Sequence, residues 1–327
     1  LGCTGTLTLP ANLVSIGQRA FRGARFTGPL NLPATITTIK SAAFSRSSFT
    51  GKLNLPENLE SIDKSAFRDC NGFSDALTIP AKMTTISYEA FAGCSGFRGN
   101  LVLHEDIENI ENRAFFNCNG FTGTLTIPPK VTEIGYDAFT NCAGFTGDLT
   151  IPSSVTTLGN SVFQGCTGFS GKLTFGDKIT QIGDSAFCEC EGLTGDLTIP
   201  DQVTSIGNNA FRQCSGLDGT LHLPTSLKTI GTNAFYFCSK LHGDLTIPEG
   251  VTTIGFQAFI ECAGFDGKLT IPNTVTTIEG SAFSGCSGLT GDLILPTEIT
   301  IIEDQTFSSL GCTGTLTLPA NLVSIGQ

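Results

Sequence analysis

The chain has 327 residues, of which 40% are hydrophobic, enough for a packed core, so a disordered chain is excluded. A formal net charge of −11 argues against general nucleic-acid binding, and no apolar run approaches the ~18 residues of a membrane-spanning helix. Gly 39, Phe 25, Trp 0 and three histidines (His104, His222, His242) are not the balance of an ordinary enzyme.

Residues 1–18, LGCTGTLTLPANLVSIGQ, recur letter for letter at 310–327, an offset of 309 residues. Between them the pattern G-x-L-T-I-P-x-x-V-T-x-I-G-x-x-A-F-x-x-C-x-G-F/L-x restarts at Gly5, Gly28, Gly51, Asp75, Gly99, Gly123, Gly147, Gly171, Gly195, Gly219, Gly243, Gly267 and Gly291. Ten copies have 24 residues and three have 23, so the offset is thirteen whole turns. The expectation is one continuous repeat domain over 1–327, without caps, in which Gln327 is followed by an equivalent of Arg19.

Within each turn, L-T-I has the period of two of a strand with one face inward, and the Pro after it ends the strand because it cannot donate to a ladder. His104 and Gly176 stand in for that Pro. V-T-x-I is a second extended segment whose apolar residues are three apart, so it must bend. A-F-x-x-C is expected as a compact turn or a single helical turn, and the Gly before most L-T-I strands suits a corner with positive φ. One Phe per turn, from Phe21 to Phe307, forms one inward column, and Phe or Leu from Phe26 to Leu289 forms a second. A 24-residue turn cannot bury its own apolar face, but stacked turns can. The fold class is a β-rich repeat solenoid of 13 coils of 23–24 residues, with the L-T-I strands in a parallel sheet.

The run L-T-I-P-x-x-V-T-x-I-G-x-x-A-F-x-x-C, as in IPSSVTTLGNSVFQGC, resembles the BspA-type leucine-rich repeats of bacterial and protist surface proteins over essentially the whole chain. The resemblance implies a right-handed leucine-rich-repeat superhelix and an extracellular or cell-surface location, often as an adhesin. It brings no catalytic motif. The Cys-free turns near both ends depart from the family's pattern.

Ten cysteines stand in 24-residue register: Cys70, Cys94, Cys118, Cys142, Cys166, Cys190, Cys214, Cys238, Cys262 and Cys286. Metal sites use local pairs such as C-x-x-C with His, which this chain lacks. In-register neighbours about 5 Å apart satisfy the Cα distance for a disulfide but point the same way. The column is expected to be buried and reduced, each thiol acting as a small apolar group. An oxidised form is the alternative, because one superrepeat holds an even number of cysteines. Cys188 breaks register and is expected to face outward. Cys312 and Leu310 exchange residue types and are both expected in the core.

Asp148, Lys172, Asp196, Thr220, Asp244, Lys268 and Asp292 form a column before the strands, expected as a surface ion-pair ladder that fixes stacking register. Outward threonines, Thr150, Thr174 and Thr198 among them, are read as β-formers, with O-linked glycans as the alternative. Residues 1–50 contain no Asp or Glu but carry Arg19, Arg22, Arg25, Lys40 and Arg46, a charge of +5 in a chain otherwise carrying −16. These five, expected away from the L-T-I face, are the candidate interaction patch for an acidic partner, either another copy of this chain or an acidic glycan. No nucleophile–His–acid set or phosphate loop is visible, so no enzyme activity, cofactor or metal is expected. Two functions remain: a structural unit of an extracellular fibre that self-associates, or a surface adhesin for proteins or glycans.

Overall fold

In the computed structural model, which describes residues 4–326, the chain is a parallel β-solenoid of about 13 turns, with no helix among the described residues. It comprises two compact units, Leu1–Val155 with Val162–Phe169 and Thr156–Ser161 with Ser170–Gln327.

The second extended segment carries the more continuous ladders. In the first unit Ser15–Ile16, Thr38–Ile39 and Ser61–Ile62 pair in parallel, as do Thr85–Ile86, Asn109–Ile110 and Glu133–Ile134. In the second unit five strands run from Gln181–Ile182 to Thr277–Ile278 without interruption. The three-residue apolar spacing before them is resolved by a turn, in which Val203 N–H donates to the Pro200 carbonyl and Val251 N–H to Pro248, each at 3.0 Å. The bend therefore lies ahead of the strand, and every Ile can still point inward.

The L-T-I strands are parallel too, but they pair in twos. Leu197–Thr198 pairs with Leu221–His222, and Leu245–Thr246 with Leu269–Thr270, whereas no ladder joins Leu221–His222 to Leu245–Thr246. At the latter junction the register slips by two residues: Thr220 bridges His242, and His242 N–H reaches the Gly219 carbonyl at 3.0 Å. Lys172 with Thr194 and Lys268 with Thr290 repeat the slip. The structural period on this face is thus two coils, interrupted at the coil from Gly123, whose L-T-I segment forms no strand.

The Asp/Lys column sustains that alternation by a different bond from the one expected. Asp196 Oδ1 accepts the Thr220 N–H at 2.8 Å, Asp244 Oδ1 the Lys268 N–H at 2.7 Å, and Asp292 Oδ1 the Thr315 N–H at 2.6 Å. At these three coils carboxylates bonded to the next coil's backbone stand where the ion-pair ladder was expected. Bonds to the Thr220 N–H and hydroxyl hold the Asp196 carboxyl below its usual range. Two kinds of glycine follow. Gly195 sits at φ 78°, a conformation that disfavours a side chain, while a Cβ on Gly219 would collide with the Asp196 backbone nitrogen. Gly219→Ala is expected to cost about 1–3 kcal/mol through this overpacking, read as a lower urea midpoint. An unchanged midpoint would show that the coils do not approach this closely.

The A-F-x-x-C segment is a run of turns. Two residues per coil, four apart, adopt positive φ, for example Asn209 at 56° and Gln213 at 59°. Alternate N–H groups then point along the stack: Asn209, Phe211 and Gln213 donate to the Thr232, Ala234 and Tyr236 carbonyls at 2.7–2.8 Å. A helix would turn these donors inward on itself.

Inside each unit the first Phe column is a stack of nearly parallel rings. Centroids lie 5.4–5.7 Å apart from Phe21 to Phe163 and 5.1–5.8 Å apart from Phe187 to Phe307. The second column meets it edge-on, as Phe121 meets Phe115 at 6.2 Å and 76°. Offset and edge contacts of this kind add to area burial.

Candidate functional site

The cysteine column lies against the first Phe column. All ten registered thiols are buried and free. Nine of them donate to the carbonyl of the preceding coil's Phe at 3.0–3.1 Å, from Cys70 to Phe44 through Cys286 to Phe259; Cys190 is also engaged. Each thiol is therefore a donor between coils as well as a small apolar filler. Burial raises the Cys70 thiol to about 11 and those of Cys166 and Cys286 to about 12. Such thiols are poor nucleophiles and poor metal ligands. In the 23-residue turn from Gly28, Ser47 takes the column's place, with its Oγ 3.4 Å from Cys70 Sγ.

Cys188 does not face outward. It is buried, and burial raises its thiol while the Arg212 guanidinium of the next coil acts in the opposite sense. The same guanidinium pairs with Glu189 at 3.4 Å and lies 5.2 Å from the Tyr236 ring centroid. Leu310 and Cys312 are half-buried rather than in the core, since no later coil of the described residues covers them as Cys286 is covered. The outward threonines are exposed, and Thr204, Thr252 and Thr276 donate to carbonyls one coil back, at Thr180, Lys228 and Thr252. For these three the place in the column is thereby structural.

The five cations of the candidate patch are all exposed, but they divide into two sets. Lys40 pairs with Asp63 at 3.9 Å and Arg46 with Asp69 at 3.3 Å, one coil on. Arg19, Arg22 and Arg25 make no ion pair among the described residues. Arg25 lies past the turn run, in the strand Arg25–Phe26 that pairs with Thr4–Gly5. From Asp69 the charges continue through the first unit. Arg68 sits 3.6 Å from Asp69 and 2.7 Å from the buried Glu89, and Arg113 lies 3.0 Å from Asp137. Glu89, Arg113 and Asp137 share one position of the repeat and Arg46 and Asp69 another, so the line was present in the sequence as two short columns and was missed there.

Among the described residues no group of three or more His, Cys, Asp and Glu could hold a metal ion, and no helix is long and apolar enough to cross a membrane. Stacked coils, inward ladders and bonds running from coil to coil define a leucine-rich-repeat scaffold. The BspA type leucine rich repeat region matches residues 3–122, 98–218, 170–290 and 219–327, and the chain belongs to that family.

Among solved structures it is similar to a leucine-rich repeat protein from Bacteroides ovatus, at 24% identity over 87% of this chain and 72% of that one, with a TM-score of 0.66. It is also similar to a leucine rich cell surface protein from Faecalibacterium prausnitzii (23% identity, 99% and 87%, TM-score 0.56). The pneumococcal vaccine antigen PcpA shares the fold at 18% identity, over 100% of this chain and 78% of that one, with a TM-score of 0.50. No curated protein matches the chain.

Proposed function

We propose that the chain is a structural building block of an extracellular or cell-surface fibre, formed by a solenoid that continues from one 309-residue superrepeat into the next. One observation carries this reading. The same segment ladders on both of its faces, as Ser15–Ile16 to the following strand Thr38–Ile39 and as Ser324–Ile325 to the preceding strand Ile301–Ile302. A coil that stacks in both directions is what an uninterrupted array requires.

The surface location draws on the family and on the cell-surface protein that shares the fold. Arg19, Arg22 and Arg25, which make no ion pair among the described residues of a chain of net charge −11, would recur once per superrepeat and hold neighbouring solenoids side by side. Exposed charges are screened beyond about 8–10 Å at physiological salt, whereas the apolar core is not. Negative-stain microscopy of native material is therefore expected to show filaments whose bundles loosen as salt rises while each filament stays intact. Isolated particles at every salt concentration would refute the fibre.

A further inference from the structure

We infer that the cleft between the strands Leu53–Asn54 and Leu77–Thr78 binds an extended peptide in which aliphatic residues alternate with carboxylates. The inference is independent of the fibre reading. Where the register slips, the facing strands of neighbouring pairs part and leave a cleft. It measures about 530 Å³ beside Leu173–Phe175, about 550 Å³ beside Leu269–Thr270, and about 710 Å³ beside Leu53–Asn54.

Departures from the repeat converge on the largest of the three. Where the other two clefts are lined by Asp196 or Asp292, this one has Ala76, so that carboxylate is missing from its wall. Lys82 and Ala81 stand where the cleft beside Leu173 has Gln202 and Asp201. The balance of charge is thereby reversed. Lys52 and Lys82 outnumber Glu57 here, while acids outnumber Lys172 and Lys268 in the other two. The Lys82 ammonium is held at the rim by Asn58 Oδ1 at 3.0 Å.

His104 replaces the repeat's Pro and forms part of the wall. Its Nδ1 accepts the Asp106 N–H at 3.3 Å, which leaves the ring proton on Nε2, and Nε2 is buried with no partner. An orphaned buried donor is costly, and a small turn of the ring toward the cleft would let a carboxylate or carbonyl oxygen satisfy it. The apolar part of the lining is aliphatic, with Ile79, Pro80 and the exposed Val102. Apart from the His104 ring it offers no flat face on which a sugar could stack, which favours peptide over glycan. The two strands belong to different sheets, so their facing edges have no ladder between them and offer main-chain groups to an extended chain.

The test is fluorescence anisotropy with labelled acetyl-Glu-Val-Glu-Val-Glu-Val-amide. Ala76→Asp and His104→Pro each restore the residue the repeat carries elsewhere, so both are expected to fold; Lys82→Glu changes only an exposed side chain. Saturable binding is expected to the native chain, with affinity about tenfold lower or worse in Ala76→Asp and Lys82→Glu, and a smaller loss in His104→Pro. The Lys-for-Glu peptide should not bind. The proposal is overturned by the absence of saturable binding, by unchanged affinity in both Ala76→Asp and Lys82→Glu, or by a polyuronate displacing the probe better than unlabelled peptide does.

Discussion

Phe211→Asp is expected to unfold several neighbouring coils of the second unit. Phe211 is fully buried and lies 5.4 Å from both Phe187 and Phe235 in the ring stack. Removing the ring costs about 3–5 kcal/mol in lost packing, and an unpaired buried carboxylate adds several more. Because each coil is stabilised by its neighbours, the loss spreads along the stack rather than staying at one turn. Phe211→Leu is the control: the second column already accepts Leu193, Leu217 and Leu241, and about 1–2 kcal/mol is expected. Thermal unfolding followed by circular dichroism reads both. An unchanged midpoint in Phe211→Asp would remove the ring stack from the core.

The second large effect is loss of stability in alkali. Burial raises the registered thiols above the ordinary value of 9.0, to about 11 for Cys70 and about 12 for Cys166 and Cys286. Cys94, Cys142, Cys238 and Cys262 are raised well above that ordinary value, by burial first and then by the neighbouring thiols of the column. Below pH 9 both folded and unfolded chains keep these protons, so the thiols leave stability independent of pH. Above it the unfolded chain ionises first and binds fewer protons, so stability falls by about 1.4 kcal/mol per pH unit for each such thiol. Cys70 alone loses on the order of 2–3 kcal/mol as pH rises from 9 to about 11. Summed over the column, this predicts cooperative unfolding in that window and a urea midpoint that drops steeply from pH 9 upward. Absorbance of several thiolates growing in at pH 9 while the fold persists would contradict it.

The repeat length, the two inward columns and the positive-φ corners were legible because a 24-residue period exposes every position thirteen times over. The two-coil alternation was legible only in part. Asp196, Lys268 and their neighbours showed the period, but the sequence does not say whether a carboxylate meets an ammonium or a backbone N–H. That choice depends on Gly219 and Gly267 letting the chains approach.

The second positive-φ column had a signal in Gly23, Gly93, Gly165 and Gly285. Arg46, Asn141 and Phe237 at equivalent positions hid it. Burial of Cys188 was not readable at all, since the repeat places mostly exposed or half-buried polar residues at that position, as Arg212 and Gln164. The orphaned Nε2 of His104 likewise emerges only once Asp106 has taken Nδ1.

Continuity of the array from one superrepeat to the next is tested most directly by the thiol of Cys312. This thiol is half-buried, unlike the fully covered Cys286 one coil earlier. In a tandem protein, residues 1–327 followed directly by residues 19–327, a continuing solenoid would lay a further coil over the first Cys312 and leave the second as it is. Iodoacetamide labelling under native conditions, read by peptide mass spectrometry, distinguishes the two copies by the residue that follows Gln327. The expected result is that the first Cys312 labels about tenfold or more slowly than the second, as burial removes both access and thiolate. Equal labelling of the two copies would mean that the coils do not continue across the junction.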